Sequence, residues 1–385
     1  MKPIGRLILF ILFLMVGIYV LVSSALKPYR NWDMIMYIAV AKSYEESDLA
    51  SLHRFTYDAL QHSVSDSEYE SLIQGTYRQA IYSDLSAFKE QFPFYQIRPL
   101  YTGLIYLLYK AGVDIVFATH IIPAFAVFAG LILLYFMSVS ILGHPFAYAV
   151  PFLALIFGVV DIGRCSTPDG MAFLAVMLSA YLFIKDRIPL LIFSFPIMIG
   201  IRTDLVLYII PLLLVVALSR KKYRKLTVLS AFLSVLFYFV IGILSNNPGW
   251  STTFYFSFVE YLAHPLSEPP ALRVKHYLRA VSGGLWWAPA DSRFVLYCLM
   301  FLYYLGLLVS HVKATSLIHT LRSPVTLLSM VSLFFVLVHF VLFPLTWSRF
   351  FVGPYLIGAF SLLAVMTDGL KLKTTVQPGA APDGI

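Results

Sequence analysis

Residues 7–26 read LILFILFLMVGIYVLVSSAL, with no charged side chain from end to end. A helix needs about 17–25 residues of this kind to cross the hydrocarbon core of a bilayer. Residues 226–245 and 350–367 are equally free of charge. Further apolar runs lie at 115–142, 146–163, 168–184, 188–201, 203–219, 294–312 and 326–344. The whole chain of 385 residues is 59% hydrophobic and only 12% charged. Water-soluble globular domains carry about 25% charged residues, so a water-facing surface is excluded. The expectation is an all-α polytopic membrane protein, one transmembrane domain over 1–385, with about 10–11 transmembrane helices.

The first run follows Lys2 and Arg6, as in a signal peptide. It exceeds the usual h-region of about 7–15 residues and has no small-residue cleavage site before Lys27, so a retained span with a cytoplasmic N-terminus is expected. The net charge of +8 does not imply nucleic acid. Arg220, Lys221, Lys222, Arg224 and Lys225 sit between two apolar runs, as the positive-inside rule places a cytoplasmic loop. Cys165 and Cys298 have no metal-ligand spacing and read as free thiols.

Between the spans lie a long first external loop, 27–97, a second one, 245–292, and a cytoplasmic tail, 368–385. The first is rich in acids, and its stretches Tyr37 to Leu52 and Ser67 to Phe88 suit interfacial amphipathic helices. In the second, Pro248, Pro265, Pro269, Pro270, Gly283 and Gly284 should keep any helix from running through unbroken. Residues 98–110 decide the topology. If they do not cross, then Lys185/Arg187, Arg220 to Lys225, Lys313/Arg322 and Lys371/Lys373 all fall in the cytoplasm. That count obeys the positive-inside rule better than its rival.

On this count a set of ionisable residues gathers at the outer face: Asp33, Asp161, Arg164, Asp169, Arg202, Asp204 and Arg349. Ionisable groups at membrane depth are costly and functional by default. Asp33, with Tyr37 one turn on, can serve as a general base; the alternative is a cap for a helix starting at Met34. Thr167, Pro168 and Asp169 form an ordinary helix start, with Thr167 as N-cap. Arg98, Arg202 and Arg349 carry planar forks that match phosphate oxygens. Arg202 could equally pair with Asp204, whereas Arg349 has no acid nearby in sequence. His120 and His339 lie inside apolar runs and read as buried, hydrogen-bonded core residues. Trp250, Trp286 and Trp287 suit sugar stacking or interfacial anchoring.

Together these pieces resemble the GT-C superfamily of membrane glycosyltransferases, which includes protein mannosyltransferases and the lipid A aminoarabinose transferase. The likeness rests on order: an acid after the first span (Asp33, Tyr37), then Arg98–Pro99–Leu100–Tyr101 closing the external loop. Thr167–Pro168–Asp169 follows, then Gly200–Ile201–Arg202–Thr203–Asp204, and last Ser348–Arg349–Phe350–Phe351 with Pro354–Tyr355. The resemblance implies a polyprenyl-phosphate sugar as donor, a lipid, glycan or protein acceptor, inversion at the anomeric carbon and a non-cytoplasmic active site in a plasma (inner) membrane. It implies Asp33 as catalytic base, Asp169 as a second acid organising the site or a metal, and Arg349, Arg202 and Arg98 around the donor phosphate. No cofactor is certain. A divalent metal ion is an open candidate, with Glu45, Glu46 and His264 as weak ligands lacking a recognisable spacing. Rival functions are a transporter or flippase of lipid-linked glycans, which should show inverted repeats, and a polysaccharide polymerase.

Overall fold

The computed structural model describes residues 2–143, 145–314 and 323–375. Arg322, residues 376–385 of the tail and the side chains of Lys313, Lys371 and Lys373 lie outside the described residues. Among those described the fold is all-α, and the only bridge pairing is an isolated one between Tyr29 and Cys165. Five helices are long and apolar enough to cross a membrane: α1 (Pro3–Leu26), α9 (Ile115–Ile141), α15 (Arg224–Leu244), α18 (Ser292–Ala314) and α19 (Pro324–Leu342). Five shorter apolar helices accompany them: α10 (Phe146–Phe157), α12 (Asp169–Ile184), α13 (Ile188–Ile199), α14 (Val206–Ser219) and α20 (Val352–Thr375). The last of these runs well into the tail expected from residue 368.

The outward face of these helices fits a multi-pass membrane protein. In α15 the buried side chains are Thr227, Ser230, Ser234 and Ile241, while Val228, Phe232, Phe239 and Ile243 point outward. A helix in water would do the reverse, because an exposed apolar patch of this size is untenable there. Small and hydroxylated residues packing inward is the pattern of helix association in lipid. α1 repeats it: Leu9, Phe13, Val16, Gly17 and Val20 form a buried stripe, and Leu7, Ile11, Met15 and Ile18 are exposed.

Contacts between helix ends gather at two ends of the bundle. At one end Tyr148 donates to the Gly5 carbonyl (3.1 Å), the Gly143 amide to Thr367 Oγ1 (3.2 Å), and Arg220 to Asp186 (2.7 Å). At the other, the Tyr29 amide reaches the Arg164 carbonyl (2.8 Å), the Leu100 amide the Gly200 carbonyl (2.9 Å), and Trp250 the Leu342 carbonyl (3.0 Å). The run 146–163 is split, because Gly158 sits at φ +95°, a left-handed conformation that favours glycine, and α11 (Val159–Arg164) follows at a new angle. α8 (Pro99–Lys110) packs against α9 and α2. Its first residue neighbours Gly200, while Lys110 at its last turn pairs with Glu45 (2.9 Å). Lys42 and Lys110 both hydrogen-bond the Glu45 carboxyl and hold it down at about 2.

Segment 27–97 differs from two amphipathic helices. α2 (Asp33–Lys42) is buried along its length from Met34 to Ala41, so it is a core helix and not an interfacial one. The remainder is a set of short helices: α3 (Leu49–Ser63), α4 (Asp66–Ile73), α5 (Thr76–Ser83), α6 (Leu85–Glu90) and α7 (Pro93–Gln96). Asp48, Ser65 and Asp84 cap three of them and set the breaks. In 245–292, α16 (Trp250–Phe258) precedes α17 (Val274–Trp287), which runs straight through Gly283–Gly284. Glycine costs a helix only about 1 kcal/mol, and Gly284 is needed for contact. A Cβ there would lie 2.3 Å from the Pro344 carbonyl oxygen.

Candidate functional site

At the end of the bundle where α2, α8, α12 and α20 begin, the structure draws five of the expected residues into one ionic network. Arg202 precedes the single 3-10 turn Thr203–Leu205, which α14 continues. Its guanidinium reaches Asp204 through Nε (3.0 Å) and a terminal nitrogen (2.6 Å), and its other terminal nitrogen donates to Asp169. Arg202 and Asp169 are buried. Asp204 also meets Nε2 of the buried His339 at 3.3 Å, so that histidine joins the network. The local Arg202–Asp204 pair is therefore real, but half of the arginine's partnership comes from a distant helix.

The start of α12 keeps its acid in the first turn but lacks the expected Thr167 cap. The helix starts at Asp169 with Pro168 at the cap position, and Thr167 Oγ1 donates to Asp169 Oδ2 (2.6 Å) instead of capping the backbone. Both carboxylate oxygens are thus engaged. Asp33 is likewise no cap. Trp32 holds the cap position of α2, and no side chain caps the helix. The Asp33 carboxylate instead accepts from Asn31 Nδ2 (3.1 Å) and from the Tyr95 hydroxyl (3.0 Å). Burial first, and the Asp33 charge next, push the Tyr95 hydroxyl well up, so it stays a donor. Asn31 is itself fixed by the Ser166 amide (3.0 Å), which ties the two acidic segments together.

Arg349 lies between the two acids. One terminal nitrogen is 3.6 Å from Asp33 Oδ2, and its Nε is 3.8 Å from Asp169 Oδ2. These are ion-pair distances beyond hydrogen-bond length, and Nε is buried with no hydrogen-bond acceptor. The guanidinium carbons of Arg202 and Arg349 stand 4.7 and 4.9 Å from the Phe350 ring centroid, and Arg349 is also 4.9 Å from that of Trp347. The electron-rich ring face offsets part of the repulsion between the two cations. Between them is a void of about 10 Å³ bounded by Asp169, Arg202, Asp204, Arg349 and Phe350, room for about one water.

Arg98 and Tyr37 flank this network. Arg98 donates to the Phe94 carbonyl (2.6 Å) and lies 5.8 and 5.9 Å from the rings of Tyr37 and Tyr95. Tyr37 is buried edge-on against Tyr95 and Tyr101. Asp161 stands in a second cluster: it accepts from Arg293 (2.5 Å) and Tyr29 (3.2 Å), while Arg293 also donates to Ser348 (2.9 Å), next to Arg349. Arg164 braces Tyr29 from 3.9 Å.

Three candidates fall elsewhere. His264 sits 3.2 Å from Asp84 and 3.3 Å from Glu90, clasping the second loop to the first. Glu45 is occupied by Lys42 and Lys110, and Glu46 accepts from the Asp48 amide. They do not converge, and no group of three His, Cys, Asp or Glu among the described residues could hold a metal ion. Cys165 and Cys298 are unpaired.

Tyr95 and Arg293 escaped sequence reasoning. Arg293 stands at the start of an apolar run, the same signal that drew attention to Arg349. Tyr95 has no local signal, and only the fold carries it to Asp33.

Removing Arg202 should cost stability. Arg202→Met leaves Asp169 and Asp204 short of their buried counter-charge, and breaking such a pair costs about 3–5 kcal/mol. Thermal unfolding of the detergent-solubilised protein should therefore drop clearly below wild type. An unchanged midpoint would mean the network does not hold α12 to α14.

Comparison with protein-family models, with curated proteins and with solved structures gives no match.

Proposed function

We propose that the chain is an inverting glycosyltransferase of GT-C type in a plasma (inner) membrane. It moves a sugar from a polyprenyl-phosphate donor to a lipid, glycan or protein acceptor on the non-cytoplasmic face. In this reading the ten apolar helices are ten crossings and α8 lies along the interface. Lys185/Arg187 and Arg220 to Lys225, at the end opposite Asp33, then face the cytoplasm as the positive-inside rule requires. One observation carries the reading: Arg349 sits within ion-pair reach of two carboxylates, yet its buried Nε has no acceptor. A guanidinium so held offers a donor to a further anion, and its fork suits phosphate.

The chemistry follows from the two sides of Arg349. Asp33 takes the proton from an acceptor hydroxyl or amine, whose lone pair attacks the anomeric carbon. The bond from that carbon to the phosphate oxygen breaks with inversion, and both its electrons leave on the polyprenyl phosphate. Arg349, with Arg202 behind it and Arg98 at its flank, stabilises the charge growing there, the kind of preorganised contact that lowers a transition state most. Asn31 and Tyr95 donate to the Asp33 carboxylate and hold it in place. Asp169, with both oxygens engaged by Arg202 and Thr167, organises the arginines. In this reading the donor phosphate takes the place of the one-water void that Arg349 and Phe350 help to bound.

The test is reconstitution of the purified protein in liposomes with a short-chain polyprenyl-phosphate sugar and a membrane extract as acceptor. Release of free polyprenyl phosphate coupled to a newly glycosylated product is expected. Movement of the intact donor between leaflets without such release would replace the transferase by a flippase.

A further inference from the structure

A second feature of the same face is a cleft separate from the ionic network. This cleft, of about 440 Å³, opens between the end of α16, α17 and residues 344–347, within the range of small-molecule sites. Its floor is apolar, with Phe258, Pro344 and Leu345, and two indoles, Trp287 and Trp347, wall it. His276 and Arg279 line it and no carboxylate does, so the fixed charge on its wall is the Arg279 cation. Arg279 has no ion-pair partner among the described residues, nor do Arg273 and Lys275 on the same helix. An unbalanced cationic cleft of this kind calls for an anion.

The setting says what kind. Val274, Leu278, Leu285 and Trp286 of α17 are 74%, 59%, 59% and 79% exposed. A helix with bare apolar residues beside Arg273, Lys275 and Arg279 is built to lie in the headgroup layer of a membrane. The cleft therefore opens where the head of an amphiphile would be and its tail could run along the apolar residues. It also abuts the ionic network, since Trp347 forms its wall and carries Arg349 4.9 Å from its ring centroid.

We infer that this cleft binds the phosphate head of an amphiphile, with Arg279 and His276 as the anion contacts and Trp287 and Trp347 flanking the head. Resting on the transferase reading, that amphiphile is the acceptor, presented to Asp33 across Trp347, and the donor phosphate remains the ligand of Arg349.

The experiment uses the full-length protein in a neutral maltoside detergent, titrated with dioctanoyl phosphatidic acid and separately with inorganic phosphate, by calorimetry and tryptophan fluorescence. Saturable binding of phosphatidic acid is expected, weakened about tenfold in Arg279→Gln, the worth of one charge-assisted hydrogen bond. Arg279→Lys should lose less, and Lys222→Gln, at the other end of the bundle, nothing. Competition by inorganic phosphate would show that the phosphate group alone is read, and binding of the amphiphile only would show that the tail takes part. Equal affinity in Arg279→Gln and wild type, or an equal loss in Lys222→Gln, overturns the inference. Asp33→Asn should bind the probe as wild type does. Binding through Arg279 without any transfer would then count against the enzyme reading alone, and transfer without such binding against the cleft alone.

Discussion

Asp33→Asn is expected to abolish sugar transfer, a loss of at least 10²–10⁴-fold, about what a positioned general base contributes, with the yield of folded protein unchanged. The amide keeps the shape of the carboxylate and can still accept from Tyr95. It cannot take a proton from the acceptor. Its ionic contact with Arg349 spans 3.6 Å, and the carboxylate is partly exposed, so little stability depends on it. Activity and thermal midpoint measured on the same preparation separate the two effects. Full turnover in the variant would return Asp33 to a structural role.

Arg349→Ala is expected to cut turnover by about 10²–10³, the range found when one donor to a developing oxyanion is removed. Arg349→Lys should recover only part of this, because an ammonium is a point charge without the fork that meets a phosphate at two oxygens. The contrast with Arg202 is the informative part. Arg202 spends three nitrogens on protein carboxylates, so its removal should show in unfolding. Arg349 makes no hydrogen bond to either carboxylate, so its removal should show in turnover and leave the thermal midpoint near wild type. If Arg349→Ala melts as Arg202→Met does while activity survives, the arginine is part of the scaffold.

The apolar helices were readable from sequence because a bilayer imposes length and continuity on each one, and α9, α15 and α19 end within two residues of the runs expected for them. The expectation that 98–110 does not cross rested on charge alone, through the sidedness of the basic clusters. Segment 27–97 was not, since periodicity there had to compete with caps. Asp48 and Asp84 restart the chain, and the apolar run of α2 is buried mainly by α8, α3 and α9, which no local pattern announces. The site divides in the same way. Arg202 and Asp204 are neighbours in sequence, and their pairing was visible. Arg349 has no acid nearby in the chain, and its partners Asp33 and Asp169 arrive from the first loop and the start of α12. His339 is buried, as its place in an apolar run led one to expect, but its partner Asp204 comes from another helix. Tyr95 and Arg293 act through contacts made only when the helices assemble.

The central claim is that Asp33 and Arg349 face a sugar and its phosphate. Its most direct test compares, by mass spectrometry, the lipid-linked sugars and envelope glycans of cells making wild type or Asp33→Asn. Accumulation of one polyprenyl-phosphate sugar in the variant, with loss of that sugar from one lipid, glycan or protein, is the predicted result and names donor and acceptor together. Identical profiles, with both proteins folded and equally abundant, would contradict the claim.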